Sequence, residues 1–224
     1  MRRARPGAAV LATVLAAALG AAGLGGCGTG ATPYPPTGVD ELAVPTPSPR
    51  PSDFVTRVDN QWLPLRRGRT WVYDVRRTGR PDAVRTVSVQ PTPVMIAGVH
   101  TTAVRSVLTR SGQRSETETD YYAQDTRGNV WWFGRAGVWR AGVEGAQAGL
   151  VVAATPRLGD GYRAGYQTGR VEDVVTVNQV TPDVKLEWTS ALSPGSTVWE
   201  TLRRGVGVVD RLDTSTGEHD TLQP

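Results

Sequence analysis

The sequence predicts a single all-β domain over residues 54–224, folded as an antiparallel barrel or a strongly curved half-barrel with little helix. Runs rich in Val, Thr and aromatic residues recur along this part of the chain, and Gly, Pro, Ser or Asp bounds each run. Apolar spacing of the helical kind is scarce, and only residues 144–154 could form a turn or two. A β-sandwich is the second possibility, because short alternating strands separated by turns build both architectures.

The individual strands follow from composition and from the turns between them. Four stretches have the clearest strand composition, namely residues 69–77, 83–90, 101–110 and 171–180. The Ser-Gly-Gln sequence at 111–113 is a turn signal, so residues 114–125 should pair with the strand before it. Asp125 and Gly128 occupy the first and fourth positions of the next turn, as in a type I turn closed by a glycine with positive φ. Residues 129–134 then return as a further strand.

The chain begins with a pattern typical of secretory signals. MRRARP carries three arginines and no acid, and an apolar stretch rich in Gly and Ala follows it. The stretch ends in LGGC at residues 24–27, which resembles the lipobox of bacterial lipoproteins. In that class the cysteine is alkylated with diacylglycerol, the signal is removed before it, and the new amino terminus is acylated, for example with palmitate. The sequence therefore predicts a signal peptide over residues 1–26 and lipidation of Cys27.

Lipidation also explains why the chain contains a single cysteine. Cys27 has no second thiol with which to form an intramolecular disulfide. Each buried methylene of an acyl chain contributes about 0.8 kcal/mol, so two or more chains anchor a protein stably. Residues 27–53 contain seven prolines and few apolar groups, which predicts a disordered, extended stalk. We expect a protein anchored by lipid to the extracytoplasmic face of the cell membrane.

The charge of the chain gives no reason to expect a nucleic-acid partner. The formal net charge is +4, but three of the 25 basic residues lie in the predicted signal, which leaves 22 against 21 acidic residues. Charges of both signs are interspersed. His100 and His219 stand apart from each other and from other ligand-type residues, so neither a metal nor another cofactor is expected. The sequence contains no recognised catalytic motif.

Three acidic residues alternate along the strand that follows the Ser-Gly-Gln turn. Glu116, Glu118 and Asp120 share one face of it. A register in which paired residue numbers have an odd sum would place Arg105 opposite Glu118 or Asp120. We favour the interpretation that the three carboxylates form a solvated, charge-paired outer face. The alternative is a carboxylate site of the kind that glycosidases use, in which one acid holds a proton while another stays ionised.

Five aromatic side chains flank the turn at 125–128, namely Tyr121, Tyr122, Trp131, Trp132 and Phe133. Trp131 and Phe133 face one way along their strand and Trp132 faces the other, so both faces are apolar. Such a strand must be covered on both sides, or one face must line a cavity. We favour packing beneath the Gly- and Ala-rich segment 141–163. The alternative is that the rings on one face form the wall of a cavity for an apolar ligand.

Four stretches together resemble a family of β-rich, secreted or lipid-anchored bacterial proteins, largely from actinobacteria and mostly uncharacterised. They lie at residues 58–74, 120–134, 141–163 and 203–209, in the order usual for that family. The first has the form Asn-x-aromatic-x-Pro-Leu-x-x-Gly-x-x-Trp-x-Tyr. Gln61 stands where the family has Pro, and Arg135 stands where it has an acid. The resemblance implies a β-rich fold and an envelope location, and it implies no activity.

These observations lead to two functional expectations from different classes. The first is a non-enzymatic lipoprotein that binds an apolar or lipid-like molecule, or that serves as an interaction module for an unnamed protein partner. In that case the five aromatic residues, or those on one face, contact the ligand. The second is a hydrolase of envelope glycans that uses Glu116, Glu118 or Asp120. It requires these carboxylates to open onto a cleft, with the pKa of one raised by burial.

Overall fold

A computed structural model describes residues 49–224. Within this range fifteen strands form one antiparallel sheet, and one turn of 3-10 helix (Pro51–Asp53) precedes the first strand. The predicted signal peptide, Cys27 and the predicted stalk up to residue 48 lie outside the described residues. In the part of the chain that is described, no helix is long and apolar enough to cross a membrane.

The strands are short to medium in length and follow each other closely along the chain. In order, they are β1 (Phe54–Val55), β2 (Thr70–Arg76), β3 (Ala83–Val89), β4 (Val94–Ile96), β5 (Val99–Arg110), β6 (Glu116–Asp125), β7 (Val130–Arg135), β8 (Trp139–Arg140), β9 (Gln147–Val152), β10 (Gly161–Gln167), β11 (Val171–Gln179), β12 (Val184–Ser190), β13 (Thr197–Arg203), β14 (Gly207–Asp213) and β15 (Glu218–Leu222).

Twelve of the strands close into an antiparallel barrel, and the prediction of a barrel is confirmed. The order around the ring is β6, β5, β3, β2, β15, β14, β13, β12, β11, β10, β9 and β7, after which β7 pairs with β6 again. The short strands β1, β4 and β8 pair with β6, β5 and β7 and lie outside the ring. Closure leaves no long unpaired edge on the barrel, which removes a common route to aggregation.

The six strands predicted from the sequence correspond to β2, β3, β5, β6, β7 and β11. The turn between β6 and β7 is also as predicted, since the Gly128 N–H donates to the Asp125 carbonyl over 2.9 Å and Gly128 has a φ of +87°. Residues 144–154, the one place where the sequence allows a turn or two of helix, form no helix. Those residues contain β9, which pairs with both β7 and β10. Closure of the ring needs a strand at this place, and that tertiary requirement overrides the local helical tendency.

The two ends of the barrel differ. The segment between β1 and β2 crosses one end and buries Trp62 and Leu65 there. The Asn60 side chain donates to the Gly128 carbonyl over 2.8 Å, and the Gln61 carbonyl accepts from the Gly205 N–H over 2.7 Å. The segment thereby joins the β6–β7 and β13–β14 hairpins, and we name this the plugged end. The opposite end, the open end, is formed by the turns at 77–82, 111–115, 191–196 and 214–217.

Candidate functional site: the barrel lumen

A cavity of about 660 Å³ occupies the interior of the barrel, which we name the lumen. Its lining changes character along the barrel axis. Beside the plugged end it is apolar, with contributions from Leu63, Leu65, Trp71, Val87, Leu202 and Val208. From the middle toward the open end it is mainly polar and charged, with Leu108 and Val198 as apolar exceptions, and Ser193, Ser196, Ser215 and Thr216 from the turns complete it. The volume lies within the range of about 300–1,000 Å³ that is usual for small-molecule sites.

Acidic side chains outnumber basic ones in the wall of the lumen. Four arginines line it, namely Arg77, Arg85, Arg135 and Arg211. Eight acids line it, namely Glu116, Glu118, Asp120, Asp173, Glu200, Asp213, Glu218 and Asp220. A wall of this kind is costly to form, because each charge is partly removed from water and has to be paired or hydrogen-bonded.

The expectation that Glu116, Glu118 and Asp120 form a solvated outer face is wrong, since all three line the lumen. In the actual register Asp120 lies opposite Val104 and Arg105 lies opposite Thr119. The predicted odd-sum register is therefore shifted by one residue. Because side chains alternate between the faces of a strand, a shift of one residue moves every side chain to the other face. Arg105 lies on the outer face and is not the partner of these acids.

Arg135 supplies the countercharge that the sequence had assigned to Arg105. Its Nε donates to Asp120 Oδ1 over 2.8 Å and its Nη2 donates to Asp120 Oδ2 over 3.0 Å. Its Nη1 lies 3.3 Å from a carboxylate oxygen of Glu118. The Trp132 indole N–H donates to Asp120 Oδ1 over 3.0 Å. The fork of Arg135 thus holds one carboxylate in a fixed orientation and approaches a second.

A β-bulge explains why Arg135 points inward. Tyr121 lies opposite Gly134 whereas Tyr122 lies opposite Trp132, so Phe133 is the extra residue. After a bulge of this kind the alternation of the strand is reversed. Strict alternation would have turned Arg135 to the outside, and the bulge turns it toward Asp120 instead.

The five predicted aromatic residues are divided between the two sides of the barrel wall. Tyr122 and Trp132 line the lumen. Trp131 and Phe133 point outward, where the ring of Phe54 in β1 contacts them at centroid distances of 6.3 Å and 5.1 Å. Tyr121 also points outward and is buried. One face of β7 therefore packs and the other lines a cavity, so each of the two interpretations describes one face.

The expected cover over these rings is not the segment 141–163. That segment contains β9, which lies beside β7 in the sheet, with Leu150 opposite Trp131 and Gly149 opposite Trp132. Phe54 in β1, which precedes the twelve barrel strands in the chain, covers the outer face of β7 instead. The cover comes from a residue distant in sequence, so local composition could not reveal it.

The part of the wall contributed by β12 and β13 was not predicted from the sequence. Trp188 lies edge-to-face with Trp132 at a centroid distance of 6.3 Å, and its indole N–H donates to Glu200 over 3.0 Å. The side chain of Arg211 lies 3.9 Å from Glu200. The alternation in VKLEWTS and TVWETLR could have identified these two strands. It could not have shown which of their faces is turned to the lumen.

A second charged cluster crosses the lumen wall at β3, β5 and β15. Arg85 donates from Nε to Asp220 and from Nη2 to Glu218, each over 2.5 Å. Arg110 donates to the other oxygen of Glu218. These strands are far apart in the sequence, so the cluster ties the end of the chain to its early strands.

Burial is the main influence on the lumen carboxyls, and it raises the pKa of Asp120, Asp173, Glu200 and Asp220. Arg135 acts in the opposite direction on Asp120, as does Arg85 on Asp220. For Glu200 the charges of Asp120 and Asp220 raise the pKa further. Burial and the nearby charges of Glu200 and Asp220 likewise raise the pKa of Tyr73, so its phenol stays protonated.

We expect the protein to become more stable when the pH is lowered moderately from neutral. A carboxyl whose pKa is raised by folding binds its proton more tightly in the folded state, so protonation favours that state above the unfolded-state pKa. The acids whose pKa is lowered, Asp53, Asp59 and Asp213, oppose this only once the pH falls below their ordinary value of 3.8. The free energy of unfolding from urea titrations should be higher at about pH 5.5 than at about pH 7.5.

The variant Glu200→Gln tests the cause of this pH dependence. It removes one of the carboxyls whose pKa is raised, so the gain in stability on acidification should become smaller. The variant Glu187→Gln changes a carboxyl on the outer face of β12 and should leave the gain unchanged. A wild-type free energy of unfolding that falls steadily from about pH 7.5 to about pH 5.5 would contradict the argument.

Comparison with known proteins finds no matching family model, no matching curated protein and no matching solved structure. The class that the fold and the site define is a closed twelve-stranded antiparallel barrel with an amphiphilic, predominantly acidic lumen.

Proposed function

We propose that this protein is a cell-envelope lipoprotein that holds one small amphiphilic molecule in the lumen of its barrel. The observation that carries the proposal is the gradient in the lining, which is apolar beside the plugged end and charged toward the open end. Such a lining matches a ligand with an apolar body and a polar head. The apolar part would lie against Trp71, Val87 and Leu202, and the head would lie among the charges.

The anchor belongs to the same proposal. The lipobox-like sequence ending at Cys27 and the Pro-rich stalk would keep the barrel at the membrane surface, where amphiphilic molecules are concentrated. The mass of the mature chain, measured after denaturation, should include the covalent lipid on Cys27. The variant Cys27→Ser should lack that added mass.

The proposal predicts a molecule that co-purifies with the barrel without a covalent bond. Native mass spectrometry of the Cys27→Ser chain, recovered from its own envelope fraction, should show an added mass that disappears on denaturation. The variant Val87→Trp fills part of the lumen, whereas Val84→Trp places the same ring on the outer face of the same strand, where Val84 is 41% exposed. We expect Val84→Trp to retain the added mass and Val87→Trp to lose it. A bare mass for the wild-type barrel, or a retained ligand in Val87→Trp, would overturn the proposal.

Hydrolysis of envelope glycans is the second candidate function. One observation favours it, because Glu116, Glu118 and Asp120 line a lumen that is accessible from the open end. The geometry supports it less well than binding, since Asp120 accepts two hydrogen bonds from Arg135 and one from Trp132. A carboxyl fixed by these three donors is oriented as an acceptor, so it is poorly placed to turn a proton toward a leaving group even though burial raises its pKa.

A further inference from the structure

The charge balance of the lumen identifies the chemistry of the ligand head. The acids that line the lumen are twice as numerous as the arginines that line it. The negative charge of Asp213 is compensated locally, because its carboxylate accepts hydrogen bonds from the backbone of Ser215 and Thr216. The negative charge of Glu218 is compensated by Arg85 and Arg110. The remaining acids outnumber the arginines available to pair with them, and a wall with this excess of negative charge attracts cations.

Two of the remaining acids face each other across the lumen. Asp120 is on β6 and Glu200 is on β13, and these strands lie six places apart in the twelve-membered ring. They therefore stand on opposite walls. The charge of Asp120 nevertheless raises the pKa of Glu200, as does the charge of Asp220. The three carboxylates line the same cavity, in which a cation would be stabilised from several directions.

Asp220 carries a charge that its protein partners compensate only in part. Its side chain is in the lumen wall and the residue is only 1% exposed. One carboxylate oxygen, Oδ2, accepts from Arg85. The other oxygen, Oδ1, is buried and accepts no hydrogen bond from any residue in the range 49–224. A buried carboxylate oxygen without a donor is costly, so the charge of Asp220 is compensated through Oδ2 alone.

Aromatic rings surround the same volume. Trp132, Trp188 and Tyr122 all belong to the lumen wall. The face of an aromatic ring attracts a cation within about 6 Å of its centre, and tryptophan does so most strongly. Carboxylates combined with aromatic faces are a common means of binding organic ammonium groups, because the rings tolerate the apolar substituents that the carboxylates do not.

We propose that the ligand of the lumen is a cationic amphiphile, whose ammonium or similar nitrogen head lies between Asp120, Glu200 and Asp220 and whose apolar body points toward the plugged end. This inference rests on the proposed function of the lumen and specifies its ligand class. Arg135, Arg85 and Arg211 orient the carboxylates and reduce their number of free acceptors without neutralising the wall.

Three probes with the same chain and different heads test the inference: dodecyltrimethylammonium, dodecanol and laurate, each below its critical micelle concentration. They are titrated into the Cys27→Ser chain, and binding is followed by the fluorescence of the tryptophans in the lumen. We expect the ammonium probe to bind at least about tenfold more tightly than dodecanol, and laurate to bind most weakly.

Variants on the two faces of the wall connect the preference to the named carboxylates. Glu200→Gln should weaken binding of the ammonium probe about tenfold and leave dodecanol binding nearly unchanged. Glu187→Gln, on the outer face of β12, should change neither. Asp220→Asn is a further variant, and Glu200→Gln keeps the test valid if the loss of the Arg85 contact prevents that variant from folding.

The outcomes separate this inference from the proposed function. Equal affinity for the ammonium probe and dodecanol, or tighter binding of laurate, would overturn the cationic ligand and leave lumen binding in place. An ammonium preference that persists in Glu200→Gln would overturn the assignment of the head to this volume. Failure of all three probes to bind would overturn both.

Discussion

Replacing Arg85 with methionine should lower the free energy of unfolding by about 3–5 kcal/mol, because it leaves the buried Asp220 carboxylate without its cation and Glu218 with Arg110 alone. Arg85 contacts Asp220 through Nε and Glu218 through Nη2, and its side chain is 16% exposed. Methionine has a similar length and keeps most of the packing, so the loss would come mainly from the charges. Urea unfolding followed by far-ultraviolet circular dichroism measures the change.

A double variant distinguishes an unpaired charge from a general packing defect. Asp220→Asn removes the charge that Arg85→Met leaves unpaired, so Arg85→Met combined with Asp220→Asn should be more stable than the sum of the two single changes implies. Arg105→Met, on the outer face of the neighbouring strand β5, should change the stability by less than about 0.5 kcal/mol. A loss below about 1 kcal/mol for Arg85→Met would show that water compensates the carboxylates and that the cluster is not a structural element.

Replacing Gly149 with alanine should destabilise the barrel by about 3 kcal/mol or more, or prevent its closure. A Cβ at this position would lie 2.2 Å from the Arg163 carbonyl oxygen and 2.2 Å from the backbone carbon of Ala164. The obstruction is backbone of the adjacent strand β10, which cannot move aside without breaking the β9–β10 pairing. Thermal unfolding and near-ultraviolet circular dichroism of the tryptophans would report the loss.

Gly169 provides the matched control for Gly149. It lies in the turn between β10 and β11 with a φ of +69°, and within the described residues nothing lies within 4 Å of where its Cβ would be. Asparagine tolerates this left-handed conformation, so Gly169→Asn should have a small effect. If Gly149→Ala were as mild as Gly169→Asn, the close approach of β9 to β10 would not be essential for the barrel.

Local sequence patterns predicted six of the fifteen strands in residues 49–224 and one hairpin turn, because those features depend on residues close together in the chain. Val-rich alternation locates β2, β3, β5 and β11, and the positions of Asp125 and Gly128 locate the turn between β6 and β7. The fold class follows from the same information. The turn or two of helix that the sequence allows at 144–154 does not form, because closure of the ring is a global requirement that the local sequence does not express.

The lumen could not be predicted in the same way, since it depends on register and on one bulge. The predicted register was wrong by a single residue. It therefore placed Glu118 and Asp120 on the outer face, with Arg105 as their partner. The bulge at Phe133 turns Arg135 inward, and nothing in the sequence NVWWFGR marks the extra residue. Phe54 covers the outer rings from 77 residues away in the case of Trp131, a contact that only the closed structure brings about.

The pairing of β2 with β15, which we name the seam, determines at which stage of folding the lumen forms. These are the first and the last strands of the ring along the chain, and they lie side by side, with Leu222 opposite Tyr73. A chain that emerges amino end first has its carboxyl-terminal strand as the final piece, and such long-range pairing forms slowly. Arg85 and its partner Asp220 are separated by 135 residues in the sequence, so they can pair only once β15 is in place. Until that strand is in place the wall is an open sheet that cannot enclose anything, so a ligand is captured as the seam closes or enters afterwards through the open end.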